Sequence, residues 1–258
     1  MRTIIFKLTF YTLLPLWVIS MLMAVPAKTY RPIYHGIRHW TDFVRWLLKK
    51  IVRIDIEVRG LENLPAEGPY IVCPRHESTI DAFLAASIIP YPTGLGKREL
   101  FYIPAFGTLL RKMEILKIDR GKGTAHENLP DIGELLRQSK RPLLVYPEGT
   151  RVKSLQQIKL RSGAFHIQDG TDFRVITSAT NAGYFWSARE FWMRPGKIIL
   201  EYHPPMPQGL DKDAFQAELG RRVVGRSFEL TKEAMAAAGE ELREKPPTST
   251  DDGPISGS

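Results

Sequence analysis

His76-Glu77-Ser78-Thr79-Ile80-Asp81 and, seventy residues later, Tyr146-Pro147-Glu148-Gly149-Thr150-Arg151 are the two stretches whose residue types could do chemistry. The first sets an imidazole five positions before a carboxylate. The second sets a carboxylate, a hydroxyl and a guanidinium in a turn after an apolar run. An aspartate bonded to one imidazole nitrogen fixes the tautomer and frees the other nitrogen to take a proton from a hydroxyl. A guanidinium makes paired, charge-assisted bonds to phosphate oxygens. Together they describe an enzyme acting on a phosphate-bearing alcohol. Taken alone, the first stretch also fits a capping arrangement of Ser78 and Asp81 with His76 as a surface residue.

The elements that must position these groups follow from geometry. Residues five apart on one helix lie about 140° round its axis and cannot meet. They meet if His76 sits in a loop and Asp81 in the first turn of the next helix. Gly68 to Pro74 reads as a short apolar strand closed by proline. Ser78 or Thr79 is the expected N-cap, and 79–89 the expected helix. Strands are expected at 53–58, 70–73, 94–97, 114–118, 143–146, 173–179 and 197–202. Helices are expected at 79–89, 104–112, 125–139, 162–168 and 213–238. This alternation predicts one α/β domain with a largely parallel mixed sheet flanked by helices. Both chemical stretches then follow strands, at the carboxyl ends where such sheets place their sites.

The 258 residues are 43% hydrophobic and 25% charged, which is ordinary globular material, and the net charge of +8 suits an anionic partner. The single Cys73 excludes an internal disulfide and reads as a buried thiol. The six histidines show no metal-ligand spacing, so no metal is expected. From Leu8 to Ala27 there is no charge, about enough length to cross a bilayer. A cleaved signal peptide is the competing reading. Basic residues on both sides of the segment leave its topology open. From Thr29 to Arg53 aromatic and basic residues interleave, and Trp40, Phe43, Val44, Leu47 and Leu48 recur at helical spacing. That pattern predicts an amphipathic basic helix in the headgroup region, or packed on the core. The expected division is 1–52 as membrane anchor and amphipathic helix, 53–244 as the α/β domain, and 245–258 as a disordered tail rich in Pro, Ser and Gly.

In order along residues 54 to 210, the chain resembles the glycerophospholipid acyltransferase family, and within it the bacterial 1-acyl-sn-glycerol-3-phosphate acyltransferases. The resemblance rests on His76 to Asp81, then Gly96-Lys97-Arg98-Glu99-Leu100 through Ile118-Asp119-Arg120, then Tyr146 to Arg151 with Arg161-Ser162-Gly163, then Val175-Ile176 through Asn181-Ala182-Gly183 to Pro204-Pro205. Arg75 stands where the family often has Asn. Lys112-Met113-Glu114 stand where a glycine is usual, and Thr177-Ser178 replace the usual Pro-Val.

The resemblance implies that His76 is a general base oriented by Asp81. It implies acyl transfer from acyl-CoA or an acyl-carrier protein, a co-substrate rather than a cofactor, to the sn-2 hydroxyl of 1-acyl-sn-glycerol 3-phosphate, giving phosphatidic acid. Arg151 would hold phosphate, with Gly149 and Thr150 as added donors. Glu148 would bind an acceptor hydroxyl or a neighbouring cation. Lys97, Arg120 and Arg161 are further anion contacts, although structural or solvated roles suit them equally. The resemblance also implies a bacterial inner-membrane location with the site on the cytoplasmic side, and no nucleic-acid partner. Another lysolipid acceptor, such as a lyso-ornithine lipid, fits the same motifs. A non-catalytic basic membrane-binding protein fits the charge but has no use for the His-Asp pair.

Overall fold

The computed structural model describes residues 1–118 and 129–240. Seven strands form one sheet: β1 (Ile54–Arg59), β2 (Ile71–Pro74), β3 (Thr93–Lys97), β4 (Leu116–Ile118), β5 (Leu143–Leu144), β6 (Val175–Thr180) and β7 (Gly196–Tyr202). Their order is β1-β7-β6-β2-β5-β3-β4, and every pair is parallel except β6 with β7. This is the mixed α/β sheet that the alternation predicts.

β2 and β6 are buried at every position, as the near-continuous apolar runs of a sheet covered on both faces require. The pleat sends alternate residues to opposite faces. Val72 joins a cluster with Trp40, Leu84, Phe185 and Trp186, while Ile71 and Cys73 join Leu136, Ile167 and Phe215 on the other side. Cys73 is fully buried, and burial pushes its thiol far above the usual range.

Helices fill both layers: α1 (Arg2–Ser20), α2 (Arg31–Leu47), α3 (Asp81–Ile88), α4 (Phe106–Lys112), α5 (Leu129–Ser139), α6 (Gly163–Asp169), a short α7 (Ala182–Phe185), α8 (Lys212–Leu219) and α9 (Arg226–Ala237). The single helix expected over 213–238 is two helices joined by a π-helical turn, Gly220–Gly225. The strand expected over 143–146 pairs over only two residues, although Val145 still donates to the Val72 carbonyl at 2.9 Å. The tail from 245 lies outside the described residues, as does Arg120.

The N-terminal helices differ from the headgroup reading in one respect. The apolar stripe of α2 packs inward: Trp40, Val44, Leu47 and Leu48 are buried in the cluster that holds Trp186. A helical moment reports an apolar face, and the protein core is as good a partner for it as lipid. α1 lies lengthwise on the same cluster. Phe6 and Phe10 meet the Trp186 ring edge-on at 5.1 and 5.2 Å, and Trp17 stacks on Trp40 at 5.1 Å. Its opposite side, through Ile4, Leu8, Tyr11, Leu16 and Ile19, is exposed over the whole length, as is Met23 just beyond it.

Candidate active site

β2 ends at Pro74, and the chain turns through Arg75 to Ile80 before α3 starts at Asp81. The N-cap is Ile80, which has no side chain able to cap, rather than Ser78 or Thr79. Asp81, at the first helical position, ties down the loop that precedes the helix. Its Oδ2 accepts the backbone N–H groups of Glu77 at 2.8 Å and Ser78 at 2.7 Å. The same oxygen lies 3.1 Å from His76 Nδ1. The aspartate thus ties the loop and the imidazole with one oxygen, which is how residues five apart come together. Ser78 Oγ donates to the Trp186 carbonyl at 2.5 Å, deep in the core.

The imidazole is 14% exposed and stacks on the Tyr146 ring, centroids 4.0 Å apart. With Asp81 on Nδ1, the hydrogen is held there and Nε2 is left as an acceptor with no partner among the described residues. Tyr146 begins the second chemical stretch. The backbone of that stretch is laced to the first: Val152 N–H donates to the His76 carbonyl at 2.9 Å, and His76 N–H donates to Glu148 Oε1 at 3.3 Å. A third segment joins them. Ser187 bridges Ser78 in antiparallel fashion, Ala188 N–H donates to the Glu77 carbonyl at 3.1 Å, and Arg189 Nε donates to the Arg151 carbonyl at 2.9 Å.

Under this surface lies a buried ionic group that sequence reasoning missed. The guanidinium of Arg75 is fully buried, with Glu77 Oε1 at 2.9 Å from Nε and Glu148 Oε1 at 3.4 Å from Nη1. Nη2 donates to the Gln156 carbonyl at 2.8 Å, and Ser154 Oγ donates to Glu77 Oε2 at 3.2 Å. One guanidinium cannot neutralise two buried carboxylates. Burial therefore holds both Glu77 and Glu148 above the usual carboxylate range, against the opposing pull of Arg75. Glu148 belongs to this internal group and not to the anion-facing surface, so a cation partner, Arg75, is what it has. The signal in the sequence is faint: residues 75 and 77 have opposite charge and lie on one side of an extended chain.

Gly183 of α7 presses on the same group. A methyl group there would sit 2.6 Å from Glu77 Cβ and 2.6 Å from Ser154 Oγ. Gly183→Ala should lower stability by about 1–3 kcal/mol through overpacking, read as an earlier urea midpoint with unchanged slope. A variant as stable as the parent would show that the contact yields freely.

Three comparisons bear on what the arrangement belongs to. Residues 55–180 match the family model described as Acyltransferase. The chain is 30% identical, over 86% of its length and 87% of the relative, to the 1-acyl-sn-glycerol-3-phosphate acyltransferase of Pseudomonas aeruginosa. It belongs to the acyltransferase family. The protein of the same name from Saccharomyces cerevisiae is 31% identical over 72% of this chain and 63% of its own. The fold is that of the 1-acyl-sn-glycerophosphate acyltransferase PlsC of Thermotoga maritima, with TM-score 0.73, 20% identity, and coverage of 90% of this chain and 98% of that one.

In this acyltransferase, Thr150 and Arg151 are exposed in the turn that leads to Val152 on the His76 carbonyl, and the positive charge of Arg151 acts on Tyr146. Gly149 has φ +68°, and a methyl group on it would sit 2.4 Å from Arg161 Nε. The glycine therefore serves both the turn and the close approach of a second guanidinium. Arg161 is anchored there by its main chain, the backbone N–H donating to the Pro147 carbonyl at 2.8 Å. Lys97 is exposed at the carboxyl end of β3, one strand beyond β5. It shares the edge but touches none of these groups. Arg151 and Arg161 give the turn a cationic face, and with Glu148 withdrawn inside, the edge beside His76 suits an anion.

Proposed function

We propose that this acyltransferase moves an acyl group from acyl-CoA or an acyl-carrier protein to the sn-2 hydroxyl of 1-acyl-sn-glycerol 3-phosphate, giving phosphatidic acid. The observation that carries the reading is an imidazole, bonded to Asp81 through Nδ1, whose other nitrogen has no partner among the described residues, near the cationic 149–161 turn. His76 Nε2 takes the proton of the lipid hydroxyl as its oxygen attacks the thioester carbonyl. The tetrahedral intermediate collapses by breaking the C–S bond, and the imidazolium returns the proton to the departing thiolate. No enzyme nucleophile is needed, because the thioester is already activated. The Pseudomonas and Saccharomyces relatives are named for this acceptor, which supports the choice of lysolipid.

α1 supports a membrane location, and we propose that this membrane is the bacterial inner membrane with the site facing the cytoplasm. A helix packed along the domain by Phe6 and Phe10 cannot cross a bilayer without dragging Trp186 with it. It lies in one leaflet instead, exposed stripe downward, with Phe191 and Trp192 extending the stripe next to Lys7. Residues 1–52 are then the membrane-facing unit and 53–244 the catalytic one. Keeping the substrate in the leaflet avoids about 0.8 kcal/mol of exposure for each CH₂.

Arg151→Ala tests the acceptor. Losing a charge-assisted phosphate contact of ~1.5–3 kcal/mol should lower kcat/KM about 10- to 100-fold for lysophosphatidate. A phosphate-free lysolipid should be used as well as before. If the parent enzyme prefers phosphate-free acceptors such as a lyso-ornithine lipid, the acceptor is wrong and the chemistry stands.

A further inference from the structure

At the amino edge of the sheet, opposite His76, lies a hollow of about 370 Å³ lined by Lys28, Tyr30, Arg31, Arg111, Lys112 and Glu114 among others. It sits where the chain leaves the 3₁₀ turn Met21–Ala24 that ends the apolar segment. Four of these side chains are cations. None of the four has a carboxylate partner among the described residues. The one acid named is claimed from behind: Glu114 Oε2 is 2.6 Å from Nη1 of the buried Arg141, whose guanidinium lies 3.9 Å over the Tyr30 ring. Backbone carbonyls hold two of the cations in place, Lys112 Nζ on Ala27 at 2.6 Å and Arg111 Nη1 on Phe101 at 2.9 Å. Unneutralised like charges gathered round one concave site repel each other until an anion arrives.

We infer that this hollow binds a phosphate group, that of an anionic phospholipid in the leaflet that α1 occupies, and that it is separate from the acceptor site. The inference rests on the membrane placement of α1 proposed above, and the hollow's position fits it. Lys28 and Arg31 follow the apolar segment directly, at headgroup depth for a helix lying in one leaflet. Basic hollows beside membrane helices recognise lipid phosphate in this way. An anchored protein with a phosphate held at this far end has its orientation fixed, not only its depth.

The test uses the full chain with vesicles of phosphatidylcholine, with and without phosphatidylglycerol. K28Q/R31Q should lose roughly thirtyfold in partitioning to the phosphatidylglycerol vesicles. K212Q/K232Q, which removes the same charge from α8 and α9, should lose much less. Acyl transfer in detergent should be unchanged in both variants. A parallel arm reads the melting temperature with inorganic phosphate. Stabilisation of the parent but not of K28Q/R31Q, without selectivity for phosphatidylglycerol, keeps the phosphate site and assigns it to a soluble anion. Equal losses in the two variants overturn the site, as does indifference of the parent to both phosphatidylglycerol and phosphate. A parent that binds neither kind of vesicle counts against the placement of α1, and the phosphate arm then decides the hollow alone.

Discussion

His76→Ala is expected to lower acyl transfer ~10²–10⁴-fold while the protein unfolds at the urea concentration of the parent. The imidazole stacks on Tyr146 and bonds Asp81 Oδ2, which keeps its two backbone donors when the ring is removed. Truncating it therefore removes chemistry with little structure. Asp81→Asn is a less clean experiment. Its Oδ2 also receives the backbone N–H groups of Glu77 and Ser78, at 2.8 and 2.7 Å, so the variant loosens the loop as well as freeing the imidazole. It should lose activity and, in addition, about 1–3 kcal/mol of stability. Steady-state rates with a labelled acyl thioester, paired with urea titrations, separate the two effects. A His76→Ala enzyme that turns over normally would remove the base from the mechanism.

Arg75→Met should be the most destabilising single change near the site, about 3–5 kcal/mol at neutral pH. Methionine replaces the stem but leaves Glu77 and Glu148 buried without their cation. The pH dependence gives the signature. Burial already raises both carboxyls in the native state, with Arg75 holding them back, so removing Arg75 raises them further. A carboxyl raised on folding contributes its stability below its unfolded value, about 4.3, and loses it as pH climbs through the folded value. Arg75→Met should therefore fall furthest behind the parent at neutral pH and draw closer to it under mild acid. Glu77→Gln in the same background should restore part of the loss at neutral pH and flatten the profile. A variant whose urea midpoint matches the parent at every pH would show that the ionic group is not under tension.

Much of the fold was legible before any coordinates. Seven strand positions could be read within about three residues, because parallel strands buried on both faces are written as short runs such as Ile71-Val72-Cys73. Helix geometry excluded a shared helix for His76 and Asp81 and allowed them to meet across a loop–helix junction, as they do, and the turn at Glu148 to Arg151 was expected from its place after a strand. What stayed hidden was what depends on burial by distant chain. Arg75 and Glu77 look like solvated neighbours of a motif until Glu148 closes over them from seventy residues away. Ser187 to Arg189 carry no motif, and only the bridge to Ser78 brings them to the loop. The inward face of α2 was illegible for a different reason. Trp40, Val44 and Leu47 record that one side avoids water, without recording whether lipid or protein replaces it. The π-helical turn at Gly220–Gly225 has no periodic trace either.

The Arg75 group also bears on how this chain can diverge. Its three members come from two separate stretches, and the one cation is shared by two acids. Losing Arg75 alone strands two carboxylates in the interior, whereas losing one acid first leaves Arg75 paired with the other, so the order of replacement matters. An asparagine at position 75, with both acids retained, is accordingly a poor intermediate here. Loss of Arg75 is tied to prior loss of an acid, and history at these sites should read as an acid departing first or as stasis.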